Sequence, residues 1–145
     1  MATIIYNSAL KNILEGTIQL SVDTIKASLH TTSYTPDADA HDFFDDLTNE
    51  VSTSGSYTAG IAGGMTIANK VFSQDNTDNE GVMDADDNSI TTFTGTFRWI
   101  VLRKDTGTAS TSPIICAIDV TSISATGGTV SIAWAAEGIL NITQA

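Results

Sequence analysis

Histidines and carboxylates are the side chains of this sequence that could carry out acid–base chemistry. A hydrolytic triad needs a histidine base, and the chain has two histidines, His30 and His41. His41 is followed directly by Asp42, and adjacent residues on a helix do not face each other. We therefore interpret His41 as a surface residue on a loop. We predict no catalytic residue and no enzymatic activity.

Pairs of carboxylates can also cleave glycosidic bonds, and an Asp-rich chain always contains such pairs. Glycosidases hold the sugar in a cleft lined with aromatic side chains, whereas aromatic residues make up 7% of this sequence. Trp99 and Trp134 could serve as sugar platforms, but each lies in a segment of alternating apolar residues. We expect both indole rings to pack in the core. The single cysteine, Cys116, lies in an apolar run and should also be buried.

The stretch from Asn76 to Asp87 has the ligand spacing of a calcium-binding EF-hand loop. Oxygen-bearing side chains fill five ligand positions and a glycine fills the sixth position; these residues are Asn76, Asp78, Glu80, Gly81, Asp84 and Asp87. The twelfth position is Asp rather than the longer Glu, and the flanking residues have the pattern of strands rather than helices. We predict a flexible surface loop with no metal and no cofactor. Calcium binding remains an alternative.

Gly60, Gly63 and Gly64 give the chain a glycine-rich segment that resembles a phosphate-binding loop only in composition. A phosphate loop needs a helix that begins directly after the glycines, and usually a lysine, but residues 65–68 have the pattern of a strand. We predict that these glycines allow a turn or a close approach of two chain segments.

The net charge of −11 is concentrated in the middle of the chain. Twelve acidic residues lie between Thr31 and Ile90 beside one basic residue, Lys70, whereas the rest of the chain is neutral. Unpaired carboxylates are costly to bury, so this middle should be largely solvated. Such a surface repels phosphate, which argues against binding to nucleic acid or to an anionic membrane. The sequence shows neither a signal-peptide layout nor a membrane-spanning run, so we expect a chain made in the cytoplasm.

Helical periodicity is strongest at the start of the chain. Apolar residues recur at helical spacing from Tyr6 to Leu14 and are followed by Gly16, which predicts one short amphipathic helix. Residues 40–47 predict at most a second helical turn or two, with Phe43, Phe44 and Leu47 on its apolar side.

Most of the remaining sequence alternates between apolar and polar residues in short runs separated by Gly, Asn and Ser. The predicted strands are Ile18–Val22, Ile25–Leu29, Glu50–Ser52, Met65–Phe72, Gly81–Ala85, Ser89–Thr94, Thr96–Arg103, Pro113–Thr121, Gly128–Trp134 and Gly138–Thr143. No helical segment is long enough to connect parallel neighbours. We therefore predict a mainly β fold, an antiparallel sandwich or barrel, as one domain spanning residues 1–145. Apolar residues on both faces of residues 97–102 indicate a central strand.

Three segments of the sequence resemble segments of known proteins. They are Asn49–Val51 with Tyr57–Gly60, Arg98–Asp119, and Trp134–Leu140. Together with the opening helix, the Ile25–Leu29 strand and the Tyr34–Pro36 turn, these segments resemble a diffuse family of small virion proteins of tailed phages. The resemblance covers most of the chain, and its motifs are turn residues and strand faces rather than ligands. The chain departs from the family at Gly60–Gly64, where relatives tend to have two adjacent glycines.

The resemblance implies a structural role. Members of this family with an assigned role are similar to capsid cement or decoration proteins, so the chain is expected on the capsid surface of a virion, bound to the major capsid protein. Analogy with other cement proteins also implies a homo-oligomer, with a trimer as the favoured form. Two alternatives stay open, namely a structural protein of the phage neck, tail or fibre, and a carbohydrate- or calcium-binding β module. Because charged residues are depleted at interface cores, we expect the contacts to come from the neutral ends. The opening helix is the segment most in need of cover, and we expect it to pack on its own domain rather than on a partner.

Overall fold

Eight β-strands and one α-helix form the part of the chain that this computed structural model describes, residues 2–143. The strands are β1 (Ala2–Ile5), β2 (Ile25–His30), β3 (Met65–Thr66), β4 (Val71–Asp75), β5 (Glu80–Asp84), β6 (Asn88–Lys104), β7 (Ile114–Ile132) and β8 (Leu140–Thr143). The helix α1 spans Asn7–Leu14, and two short 3-10 helices span Phe44–Asp46 and Ala109–Thr111.

The strands form two antiparallel sheets. One sheet has five strands in the order β1-β7-β6-β2-β3, and the other has three strands in the order β4-β5-β8. Every strand pair in both sheets is antiparallel. The predicted mainly β, antiparallel fold with one short N-terminal helix is therefore confirmed. Among the described residues, no helix is long and apolar enough to cross a membrane.

The long strands β6 and β7 pair along almost their whole length and form a strongly bent ribbon. Their register shifts at four places. At one of these, Thr92 has a positive φ of 56°, which is unusual for a β-branched residue. Ser56 holds this irregular backbone, because its hydroxyl accepts the N–H of Thr91 at 2.9 Å and its N–H donates to the Thr91 carbonyl at 3.0 Å. Ile123 and Ser131 of β7 line one cavity, so the strand curves back toward itself.

The core lies on both faces of β6. Phe97 and Val101 are buried on one face, and Ile100 and Leu102 are buried on the other. Strand β6 has β7 on one side and β2 on the other, so the prediction of a central strand is confirmed. Full burial of one such side chain contributes about 1.5–3 kcal/mol, so the buried side chains of this strand make a large contribution to hydrophobic stabilisation.

The opening helix packs on its own domain. Tyr6, which precedes α1, and Ala9 within it are fully buried, whereas Leu10 is 41% exposed and Leu14 is 89% exposed. The predicted second helical turn over residues 40–47 is the 3-10 helix at Phe44–Asp46, which buries the Phe44 ring.

The predicted strand at Ile18–Val22 was wrong, because these residues form a turn. The Asp23 carboxylate accepts the N–H of Gln19 at 2.7 Å, and the N–H of Asp23 donates to the Gln19 carbonyl at 2.8 Å. Ile18 is buried, but Val22 is 76% exposed. The alternation of apolar residues here does not correspond to one buried face.

Several other strand boundaries were also wrong. Strand β1 was not predicted. Glu50–Ser52 is not a strand and contributes one isolated bridge, from Glu50 to His30. The predicted strand Met65–Phe72 is two strands, β3 and β4, which are separated by Asn69 with a φ of 50°. Four predicted strands belong to two continuous ones: Ser89–Thr94 and Thr96–Arg103 to β6, and Pro113–Thr121 and Gly128–Trp134 to β7. The glycines that suggested breaks lie at register shifts within the ribbon.

Candidate functional site

An uncovered apolar groove lies on one face of the three-stranded sheet. It has a volume of about 290 Å³ and is lined by Leu20, Phe72, Ser73, Gly81, Val82, Met83, Leu140 and Ile142. No charged side chain is among these lining residues, although the chain has a net charge of −11. We call this surface the apolar groove.

Strand register explains how the groove forms. Phe72, Met83 and Leu140 are cross-strand neighbours, and Gly81 pairs with Ile142 two residues further along the same face. Met83 and Leu140 are buried, but Phe72 is 45% exposed and Ile142 is 50% exposed. The sheet therefore extends beyond the core, and the absence of a side chain at Gly81 keeps its outer part open.

The opposite face of this sheet is acidic. Asp75 pairs with Glu80, and Glu80 pairs with Thr143. The Glu80 carboxylate accepts hydrogen bonds from the Asn141 amide at 2.8 Å and from the Thr143 hydroxyl at 3.2 Å. The Asp75 carboxylate accepts backbone N–H groups of the turn at residues 76–79, and these bonds lower the pKa of Asp75. The carboxylates of this sheet therefore lie on its acidic face, opposite the apolar groove, and Val71 and Val82 share the acidic face with them.

The EF-hand-like spacing at residues 76–87 belongs to a β-hairpin and not to the flexible loop that we predicted. The turn at residues 76–79 connects β4 to β5, and β5 carries Glu80 and Asp84. Residues four apart on an extended strand are separated by about 13 Å, so these carboxylates cannot share one ion. Within residues 2–143, no group of three or more His, Cys, Asp or Glu side chains could hold a metal ion.

Ser28 and His30 form a contact that resembles a catalytic Ser–His pair. The Ser28 hydroxyl lies 2.9 Å from Nε2 of His30, and Nδ1 of His30 lies 2.8 Å from the Thr48 carbonyl. Since a carbonyl only accepts, Nδ1 donates to Thr48 and Nε2 accepts from the Ser28 hydroxyl. Both side chains are fully buried, and burial lowers the pKa of His30 to about 4. A substrate cannot reach this hydroxyl, so the pair has a structural role.

His41 lies on a loop, as predicted, and its side chain is partly buried against aromatic residues. Its Nδ1 lies 3.1 Å from the Tyr34 hydroxyl and accepts the N–H of Asp37 at 3.3 Å. The rings of Tyr34 and His41 are stacked at 5.7 Å, and the Tyr34 hydroxyl lies 2.7 Å from that of Tyr6. The imidazole therefore fixes the loop between residues 34 and 41.

The prediction that both tryptophans pack in the core is confirmed, since Trp99 and Trp134 are each 9% exposed. The indole N–H of Trp134 donates to the Asp86 carbonyl at 3.0 Å, whereas the indole N–H of Trp99 has no hydrogen-bond partner among the described residues. Cys116 is also buried as predicted, and burial raises the pKa of its thiol to about 12.

Arg103 is a fully buried residue that sequence reasoning missed. Its Nη2 donates to the carbonyls of Ile61 and Gly63 at 3.1 and 3.0 Å, and its guanidinium lies 4.2 Å from the centre of the Phe44 ring. A Cβ at Gly63 would lie 1.9 Å from the Thr58 carbonyl, which confirms the predicted close approach of chain segments. Arg103 therefore fixes the glycine-rich segment to the sheet.

Two other clefts differ from the apolar groove in their lining. One, of about 340 Å³, lies between β1 and residues 134–141 and includes Glu137. The other, of about 460 Å³, lies in the bend of β7 and includes Asp119, whose carboxylate pairs with Arg98 at 2.6 Å. The apolar groove differs from both in having no charged lining residue.

Comparisons of the chain with known proteins identify no relative. No family model, curated protein or solved structure matches it. The apolar groove is therefore defined as a candidate binding surface by its geometry and its lack of charge.

Proposed function

We propose that this protein is a structural protein of a tailed-phage virion, a head decoration or cement protein that binds the outside of the major capsid protein lattice. The resemblance of the sequence to small virion proteins supports the virion setting. The apolar groove is the observation that supports a binding role, because exposed apolar patches on polar surfaces mark interaction sites.

The groove is suited to a protein partner by its composition. Phe72 and Ile142 retain about half of their accessible surface, and covering a large apolar side chain completely contributes about 1.5–3 kcal/mol. Burying the groove does not require the desolvation of a carboxylate, because its lining has no charge. The acidic face of the same sheet would then remain in water and keep the decorated particle soluble.

A cement protein stabilises a shell by mass action. It binds the assembled lattice more tightly than free subunits, so its binding energy is added to that of the lattice. In this proposal the major capsid protein covers the groove. The protein acts on the capsid surface and performs no catalysis.

The number of copies in the virion tests the proposal directly. Quantitative mass spectrometry of purified virions should find the chain in hundreds of copies, as expected for a protein spread over the shell. A dozen copies or fewer would instead assign it to the neck, tail or a fibre. Absence from the particle would overturn the virion assignment.

A matched pair of variants tests the role of the groove. Phe72→Ser should weaken binding to expanded heads by about tenfold, because it removes the one aromatic ring among the residues that line the groove. Leu14→Ser removes a side chain that is 89% exposed at the end of α1 and should leave binding unchanged. Equal binding of both variants would show that the groove is not the contact surface.

A further inference from the structure

Strand β4 is an unprotected edge of the three-stranded sheet. Its one neighbour in the sheet order is β5, and its backbone makes no hydrogen bond to any other described residue. Val71 is 62% exposed and Phe72 is 45% exposed, so the strand presents both free backbone groups and apolar side chains to solvent. Edge strands of this kind are templates for pairing with another strand.

The charges around β4 are self-complementary. Lys70, the one basic residue between residues 31 and 90, directly precedes the strand, whereas Asp75 ends it and Asp78 lies in the turn that follows. Lys70 Nζ donates one hydrogen bond to the Asp23 carbonyl, which leaves two of its three N–H groups available. In an antiparallel pair of identical strands, the basic end of each strand meets the acidic end of the other.

We propose that two copies of this chain associate through antiparallel pairing of their β4 strands. The register centred on Ser73 is the one that pairs all five residues of β4. It places Val71 opposite the partner's Asp75 and Phe72 opposite the partner's Gln74, so no carboxylate of β4 faces another carboxylate. Lys70 then lies beside the acidic turn of the partner. The contact is isologous and therefore closes at two copies, rather than at the three that analogy with cement proteins implies.

Such a pair has one continuous sheet of six strands. A two-fold axis perpendicular to an antiparallel sheet keeps equivalent residues on the same face, so both apolar grooves face the same side. The rings of Phe72 in the two copies become diagonal neighbours, within reach of each other. The pairing does not require the proposed function, but it would give a decoration protein two grooves that bind a lattice together.

A charge exchange tests the pairing. Lys70→Glu places acidic groups at both ends of the contact, and Asp78→Lys places basic groups there. Asp78 is suitable for this exchange because its side chain is exposed and makes no hydrogen bond or ion pair among the described residues, whereas Asp75 holds the turn. Each variant alone should dimerise about tenfold more weakly than the wild type, because two attractive contacts per dimer become repulsive. An equimolar mixture of the two variants should restore association.

Sedimentation equilibrium of the full chain measures the dimerisation of each variant and of the mixture. Concentrations up to about 1 mM are needed, because edge contacts are small. Asp45→Lys is the matched control, since Asp45 is exposed, distant in sequence from β4 and bound to no described side chain. It should dimerise like the wild type, and circular dichroism should confirm that every variant is folded.

The inference is overturned by a wild-type chain that stays monomeric, by a trimeric mass, or by a mixture of variants that associates no better than each variant alone. A monomer that still decorates heads through Phe72 would leave the proposed function intact, with the capsid protein as the occupant of this edge. A dimer that responds to the charge exchange but is absent from virions would support the pairing and exclude the proposed function.

Discussion

Two buried polar side chains, those of His30 and Arg103, bind backbone carbonyls of neighbouring loops. His30 donates to the Thr48 carbonyl and accepts from Ser28, and Arg103 donates to the carbonyls of Ile61 and Gly63. Both residues therefore hold a loop against the five-stranded sheet. Because the imidazole stays neutral in this environment while the guanidinium carries a charge, only His30 should make stability depend on pH near neutrality.

Stability should fall as the pH decreases from about 6.5 toward about 4. Burial lowers the pKa of His30 to about 4 in the folded protein, whereas an imidazole in the unfolded chain has a pKa of about 6.5. In this range the unfolded chain binds a proton that the folded protein does not, so protonation favours unfolding. The free energy of unfolding should be about 2 kcal/mol lower at pH 5 than at pH 7.5, as measured by urea denaturation.

The two histidines can be distinguished in this experiment. His41→Gln should retain the dependence on pH, and NMR titration of the wild type should show the His30 ring still neutral at pH 5. A His30 ring that titrates near pH 6.5 in the folded protein would contradict the prediction.

The two tryptophans should respond differently to the loss of their indole N–H groups. Both rings are equally buried, but Trp134 donates to the Asp86 carbonyl and Trp99 has no partner among the described residues. Trp134→Phe should therefore be about 1 kcal/mol more destabilising than Trp99→Phe, as measured by urea denaturation. Equal losses for the two Phe variants would show that the hydrogen bond contributes nothing.

Replacement of either tryptophan by Ala should lower the free energy of unfolding by about 3–5 kcal/mol, measured in the same way.

Elements with clear periodicity could be predicted from the sequence, and elements defined by distant contacts could not. Helix α1, strand β2 and the central part of β6 each show a regular apolar pattern over a continuous run. Strand β1 is four residues long and depends on pairing with β7, which a local pattern does not reveal. The ribbon of β6 and β7 was divided in prediction because residues such as Gly95 suggest turns, whereas here they lie at register shifts.

Replacement by Ala should have opposite effects on stability at Gly63, in the glycine-rich segment, and at Gly81, in strand β5. A Cβ at Gly63 would lie 1.9 Å from the Thr58 carbonyl, so Gly63→Ala should destabilise the protein by more than 1 kcal/mol through displacement of backbone that Arg103 holds. Gly81 in β5 has open space around it, and Gly81→Ala should stabilise the protein by about 0.4–1 kcal/mol by restricting the unfolded chain. Thermal denaturation of both variants measures these changes in stability. A Gly63→Ala protein as stable as the wild type would refute the close approach of Gly63 to the Thr58 carbonyl.

Across the whole molecule, charge was predictable from the sequence but the candidate binding surface was not. We expected contacts to come from the neutral ends and the opening helix to pack on its own domain. Tyr6 is fully buried and β1 is part of the five-stranded sheet, so deletion of residues 1–6 would damage the fold rather than probe an interface. The apolar groove combines Phe72 and Met83 of the acidic middle with Ile142 near the C-terminus, a proximity that arises only when β8 pairs with β5.

The uneven charge should make stability depend on ionic strength and not on a particular cation. Twelve acidic residues within sixty positions repel one another, and raising the salt concentration from about 10 to about 150 mM shortens the screening length from about 30 to about 8 Å. The melting temperature should therefore rise with NaCl, and at equal ionic strength calcium should raise it no more than magnesium does. Chelator should have no effect, because the carboxylates at residues 76–87 do not converge on one point in the hairpin. A rise of several degrees with millimolar calcium alone, absent with magnesium and reversed by chelator, would establish an ion site and support the calcium-binding alternative.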